Sequence, residues 1–311
     1  MSTVSPGAAR RNAAEERRVA ADGRLASGDR DGTVLRFVAS VFDHPGRPSL
    51  SEFLPVENDR MWSWRDRRGE LMGAMLTRPW RLIDGLAGIN LGYVAVRPEY
   101  RRQGVGSAMV GAVVEHEEQS GAAFTLCWAR DHLVDFYRSM GFADLGTETY
   151  CEVLVPPDIE VEDVDVADLN GTSHAGFDAL RRDRAGAVLR GFDHGAWRAI
   201  NMGFPWAPAL KVVYSGKPSQ PSWYAVVGES GNGSVTVVEY GGPGDQFLSA
   251  ANAVRARFKA GSVRVNLTDP VLAQIAGPNR GPEIGASFHR LLRSNLIDRA
   301  AAPVTSWLDR I

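Results

Sequence analysis

Apolar and polar positions change period along residues 60–142, and each change marks an element. From Arg60 to Arg65, Met61 and Ser63 alternate with Trp62 and Trp64, the period of two that predicts a strand. Arg67-Arg68-Gly69-Glu70 supplies a hairpin turn, and Leu71 to Trp80 continues as a second strand. Ala87 to Val96 makes a third, apolar and β-branched. Pro98, with no amide to give a sheet ladder, closes it. Val105, Ala108, Met109, Ala112 and Val113 then fall at i, i+3, i+4, i+7 and i+8, one apolar helical stripe facing a sheet. Gly121 stands where a helix end favours positive φ. Phe124 to Ala129 predicts a short strand and Asp131 to Met140 a short helix, with Gly141-Phe142 opening another strand. Upstream, Val34, Leu35, Val38, Val41 and Phe42 suit a short helix, and Pro45 to Pro55 a turn-rich connection.

Near Pro156-Pro157 the pattern starts afresh. Asp158 to Asp168 is acidic, and its alternating valines predict a strand. Helices follow around Ala175 to Arg190 and around Trp197, then strands at Leu210–Tyr214, Trp223–Gly228 and Val235–Tyr240. A turn at Gly241–Gly244, a helix from Asp245 to Lys259, a strand at Val263–Leu267 and a short helix at Val271–Ala276 complete the series. Strands, glycine turn, helix, strand, short helix is the order of the first half, so the second half reads as a diverged copy. The fold class expected is α/β (α+β): two tandem domains, each a mixed, mostly antiparallel sheet flanked by helices. Their limits are 32–156 and 157–311, after a flexible N-terminal extension over residues 1–31 that is rich in Ala, Arg, Gly, Ser and Glu.

Composition narrows the class. The 311 residues suffice for two domains, and 44% hydrophobic with 23% charged residues is a globular balance. A net charge of −2 provides no overall field toward nucleic acid or an acidic membrane. Apolar runs of membrane-spanning length and a signal-peptide core are both missing, so a cytoplasmic protein is expected. Cys127 and Cys151 fall in predicted strands and read as reduced, buried thiols. The six histidines lack metal-ligand spacing, so no metal is expected, and there is no Ser-His-Asp arrangement or nucleophile elbow.

The chemistry concentrates where the third strand meets the long helix. A strand, a basic glycine turn and a helix N-terminus make an anion site, because the first helical amides have no intrahelical acceptor. Gly104 and Gly106 carry no Cβ to hold a ligand off, and Arg101 and Arg102 add charge. The spacing Val96-x-Pro98-x-x-Arg101-x-x-Gly104-x-Gly106 resembles the acyl-CoA pyrophosphate loop of the GNAT superfamily of N-acetyltransferases. Phe136-Tyr137-x-x-x-Gly141-Phe142, downstream in the right order, is similar to the same family's Y-x-x-x-G-F segment. The resemblance covers roughly residues 33–155.

That resemblance implies acetyl-CoA as co-substrate. Backbone groups of Val94, Ala95 and Val96 would hold the pantetheine arm, and Arg101, Arg102, Gln103, Gly104, Val105, Gly106 and Ser107 the pyrophosphate. Arg130, where many relatives carry asparagine, would lie along the CoA with His132 and Leu133. Tyr137 is the expected general acid: a phenol of ordinary pKa near ~10 is protonated at neutral pH and can donate to a departing thiolate. The general base stays open among water, Asp84, Glu57, Asp59 and the Ile311 carboxylate. Glu115, Glu117 and Glu118 are expected to point away from the cleft.

The stretch from Arg181-Arg182-Asp183-Arg184 to Trp197 is similar to the middle domain of Eis-type acetyltransferases, whose second copy is degenerate. The third, sterol-carrier-like domain of those enzymes is not expected before Ile311. Here Tyr240-Gly241-Gly242-Pro243-Gly244-Asp245 has lost the basic residues of the first copy, so that copy is expected not to bind CoA. The function expected is direct acetyl transfer to a primary amine of a small molecule, aminoglycoside-like or another metabolite. The alternatives are a peptide or protein amine, or a non-catalytic acyl-CoA sensor. Neither nucleic acid nor membrane is an expected partner, and the state expected is monomer or homodimer.

Overall fold

The computed structural model describes residues 23–29, 32–43, 49–50, 59–82, 85–168, 175–182, 210–230, 233–266, 273 and 277–294. Its strands are β1 (Arg24–Ser27), β2 (Arg60–Arg65), β3 (Leu71–Arg81), β4 (Ala87–Val96), β5 (Thr125–Arg130) and β6 (Ala143–Val153), then β7 (Asp165–Asp168), β8 (Lys211–Lys217), β9 (Gln220–Ser230), β10 (Ser234–Gly241), β11 (Ser262–Asn266) and β12 (Arg280–Arg293). The helices are α1 (Thr33–Phe42), α2 (Val105–Gln119), α3 (Val134–Arg138), α4 (Ala175–Arg182) and α5 (Phe247–Arg257).

The two expected sheets are joined into one of twelve strands, ordered β1-β2-β3-β4-β5-β12-β6-β11-β10-β9-β8-β7. Two neighbouring pairs are parallel, β4 with β5 and β10 with β11, and every other pair is antiparallel. Read from either edge the sequence of pairings is the same, so the second half repeats the first about an axis between β6 and β12. The halves have exchanged last strands. β12 lies against β5, and β6 lies against β11.

Strand alternation sorts the first half's core into two layers. Met61, Ala74 and Leu76 face α1 through Val34 and Val38. Trp62, Met75, Leu91 and Cys127 face α2 through Val105, Met109 and Val113. The second half repeats this. Phe177 of α4 covers Val212, Tyr224 and Val226, while Phe247 and Val254 of α5 cover Val213, Ala225 and Val263. The exchange is visible in these cores: Cys151 and Val153 of β6 belong to the second half's, and Leu291 of β12 to the first's.

Several expectations need correction. Residues 24–27, inside the stretch expected to be a flexible extension, belong to the sheet and pair with β2 from Arg24↔Arg65 to Ser27↔Trp62. The acidic segment forms a strand only at Asp165–Asp168, on the outer edge beside β8. Before that it packs on the second half, where Ile159 accepts a hydrogen bond from Asn252 and Glu162 receives Trp223 Nε1 at 2.9 Å. Strand β12 was not expected at all. The helix expected around Trp197, the one expected at Val271–Ala276 apart from residue 273, and the helix beyond residue 182 lie outside the described residues.

Candidate functional site

β4 is bent by a bulge. Its pairing with β3 jumps between Ala74↔Ala95 and Leu76↔Gly92, and Tyr93 there has φ 52°. On its other side β4 pairs with β5 only from Ile89↔Thr125 to Leu91↔Cys127, although β4 runs on to Val96 and β5 to Arg130. The strands therefore part, and the backbone from Gly92 to Val96, which includes Val94 and Ala95, borders an open notch. Val96 is partly engaged, since its carbonyl accepts from Arg101 Nε at 2.9 Å.

The turn after β4 is braced from within. Pro98–Tyr100 form a 3-10 turn, Gln103 Nε2 donates to the Glu99 carbonyl at 2.6 Å, and Arg101 reaches back to β4. Arg102 and Gly104 both adopt the left-handed region, at φ 60° and 76°. Alternating handedness of this kind turns successive amides toward one side, and Gly104 is the residue type that accepts it without strain. The first α2 bond is Ala108 N to the Gly104 carbonyl at 2.9 Å. Among the described residues no protein group accepts from the amides of Arg102 to Ser107, Val105 and Gly106 included. Arg102 is exposed and makes no ion pair among the described residues. Of the two arginines expected to carry charge outward, Arg101 is instead mainly a brace.

The second motif is brought to the first through Phe136. A methyl group at Gly106 would lie 3.5 Å from Phe136 Cζ and 3.6 Å from Val96 Cγ2, so helix α3 closes over both loop and strand. Tyr137 is 5% exposed, with its ring edge-on to Phe136 and Phe142 at 4.9 and 5.5 Å. No protein group hydrogen-bonds its hydroxyl among the described residues. Burial pushes its phenol far above the usual range, with Cys127 adding to the effect, so the group holds its proton. Arg130 ends β5 with its guanidinium over the Phe288 ring, 5.7 Å from the centroid. His132 and Leu133 are exposed on the following 3-10 turn.

The candidate bases fare differently. Asp59 is fully buried in a two-pronged pair with Arg78, at 2.7 Å to Nε and 3.0 Å to Nη2, which removes it as a base. Beside that pair burial pushes the Tyr93 phenol up to about 12, with Arg78 opposing and Asp59 adding. Glu117 does not point away: it is buried under the sheet, bonded to Arg60 Nη1 at 2.8 Å and to Thr77 Oγ1 at 3.3 Å. Glu57, Asp84 and Ile311 lie outside the described residues. Trp62, Trp64 and Trp80 are core residues, whereas Trp128 is partly exposed beside Trp80.

In the second half the corresponding turn is closed. A methyl at Gly241 would come 2.1 Å from Tyr224 Cε1 and one at Gly242 2.6 Å from Trp223 Cβ, and Tyr240 donates its hydroxyl to the Pro243 carbonyl at 2.7 Å. Aromatic side chains occupy the space beside this turn.

A parting parallel strand pair, a glycine turn with unpartnered amides at a helix start and a buried tyrosine are thus gathered in the first half. Residues 57–144 match the family model for the acetyltransferase (GNAT) domain. The first half of the chain thus carries a stretch similar to the GNAT acetyltransferase domain. No curated protein sequence matches it. Among solved structures it is similar to a conserved protein of Enterococcus faecalis V583, at 14% identity and TM-score 0.65 over 89% of this chain and 73% of that one. It is also similar to a GCN5-related N-acetyltransferase from Kribbella flavida, at 17% and 0.62 over 89% and 72%. Eis1 from Mycobacterium abscessus matches at 14% and 0.59 over 90% and 76%. Each match spans both halves, so the shared fold is the tandem one. Among the described residues no helix is long and apolar enough to cross a membrane.

Proposed function

We propose that the protein transfers an acetyl group from acetyl-CoA directly to a primary amine of a small molecule. The first half, residues 32–156, is the catalytic unit in this reading and residues 157–311 the degenerate one. The observation that carries it is the juxtaposition at one notch. β4 and β5 part after Leu91 and Cys127, the unpartnered amides of residues 102–107 follow at the end of β4, and Tyr137 packs in one core cluster with Leu91, Cys127 and Val105.

The amides and Arg102 would take the pyrophosphate, and the backbone of Val94 to Val96 the pantetheine arm. The amine nitrogen attacks the thioester carbonyl, a C–N bond forms and the C–S bond breaks. Tyr137 gives its proton to the leaving thiolate, and the proton released by the attacking nitrogen returns through water to the Tyr137 oxygen, which restores the phenol. The fold supports the Eis-like layout without fixing the acceptor. The acidic segment packs on the second half and offers no rim charge for a polycation at the β4–β5 notch.

The test is thiol release from acetyl-CoA across aminoglycosides, polyamines, amino acids and short peptides. Turnover with one class, weakened in Arg102→Ala, supports the reading and names the acceptor. CoA binding with silence across the panel would replace the enzyme by an acyl-CoA sensor. Absence of CoA binding would remove both.

A further inference from the structure

Helix α3 is five residues long, too short to hold its own direction in water, yet it carries Tyr137. Part of what fixes it comes from the other half of the molecule. Arg293, the last residue of β12, donates from Nη1 to the Met140 carbonyl at 2.9 Å, satisfying an orphan acceptor just beyond the end of α3. The same guanidinium grips Glu118 near the end of α2, with Nε to Oε1 at 3.1 Å and Nη2 to Oε2 at 3.3 Å. One side chain thus spans the helix that begins with the glycine turn and the helix that carries Tyr137.

The other end of α3 is held from the same strand. His289 places Nδ1 3.0 Å from Asp144 Oδ2, just after α3, and Nε2 3.5 Å from Asp131 Oδ1, just before it. Asp144 is also tied to Arg138 at 2.8 Å and to the Gly146 amide at 2.8 Å. Between these anchors Leu291 packs in the same core layer as Tyr137 and Cys127.

We infer that Arg293 and His289, residues of the second copy, are positioning residues for Tyr137, so that the degenerate copy completes the active site of the first. The catalytic part of this inference rests on the proposed acetyl transfer; the positioning part does not. A shift of a catalytic group by about 1 Å costs roughly 100-fold in rate. Loss of one anchor is expected to show mainly in kcat, because the pyrophosphate amides lie at the opposite end of α2.

The experiment uses the full chain with Arg293→Met, Arg293→Lys and His289→Gln. Hydrogen exchange is read at Ser139, Met140, Gly141 and Phe142, whose amides bond to Asp135, Tyr137, Arg138 and Tyr137 carbonyls. Arg293→Met is expected to speed these amides at least about tenfold while those of α2 residues 109–114 keep their wild-type rates. Turnover should then fall roughly 10- to 100-fold in kcat, with the acetyl-CoA KM within about threefold. Arg293→Lys and His289→Gln should retain part of each. Should Arg293→Met fail to fold, these two decide on the same amides. Unchanged exchange at residues 139–142 overturns the inference, as does a rise in KM with kcat intact. A wild-type chain without turnover would remove the proposed function, and the exchange measurement would still decide the positioning.

Discussion

Tyr137→Phe separates chemistry from packing because the hydroxyl has no structural work among the described residues. The ring stays edge-on to Phe136 and Phe142 whether or not it carries oxygen. No hydrogen bond to the described protein is lost, and the hydroxyl is not among the buried polar atoms that lack a partner, so removing it strands no group. Stability should therefore hold within about 0.5 kcal/mol. The rate should fall. Loss of a positioned general acid removes about 10²–10⁴-fold, which is roughly 3–5 kcal/mol of barrier. Thiol release with the acceptor found in the panel gives kcat, and urea unfolding followed by tryptophan fluorescence gives stability. The expected pair is a kcat down at least about 100-fold and an unchanged urea midpoint. Since burial holds the Tyr137 proton, the wild-type rate should show no descending limb from this group up to about pH 10. Undiminished kcat would refute Tyr137 as the acid. A stability loss above about 1 kcal/mol would refute the reading of its hydroxyl as unpartnered.

Asp59→Ala removes the carboxylate that holds Arg78 Nε and Nη2, so unfolding stability should fall by about 1–3 kcal/mol; an unchanged midpoint would contradict the buried pair. For Asp144, burial alone raises the carboxyl pKa, but the Gly146 amide, the His289 ring and Arg138 outweigh it and hold the group below its usual range. A depressed folded pKa stabilises above about pH 4 and loses that contribution as pH falls through the folded value, so the wild-type advantage over Asp144→Asn should vanish on acidification below about pH 4. Cys127 is buried and its thiol is pushed up by that burial, so it should resist thiol reagents in the native chain and react at the rate of unfolding.

Where side-chain period and local chemistry agreed, the sequence was enough. The meander β2–β3–β4, the stripe of α2 and the glycine turn each depend on neighbours within a few positions. Their residues lie where the pattern placed them, with Gly121 at φ 99°. Glu117 was misread because it was grouped with Glu115 and Glu118 as a polar face. Its spacing held the signal, since 105, 109, 113 and 117 continue one i+4 row, and burial follows the row. β1 has a single large apolar residue, Leu25, in four and gives no periodic signal. β12 contains Gly281, Pro282 and Gly285, which locally argue against a strand. It forms because it has a partner on both sides, and no local pattern reports partners that are far apart in sequence.

The exchange of last strands explains why a copy with a closed turn would be kept. Separated after β6, the first half would lack the strand that pairs β5, and β6 would carry Cys151 and Val153 with no core to enter. The second half alone would leave β11 without β6, and β12 would present Leu291 to water. Each half thus holds a strand that puts apolar side chains into the other's core, which makes the halves one cooperative unit. Under that arrangement the two copies carry different constraints. The turn at Gly241 could fill with Trp223, Tyr224 and Tyr240, and so gain packing at the expense of an anion site. β12 could not change as freely, because its outward neighbours are β5, α2 and α3 of the first half.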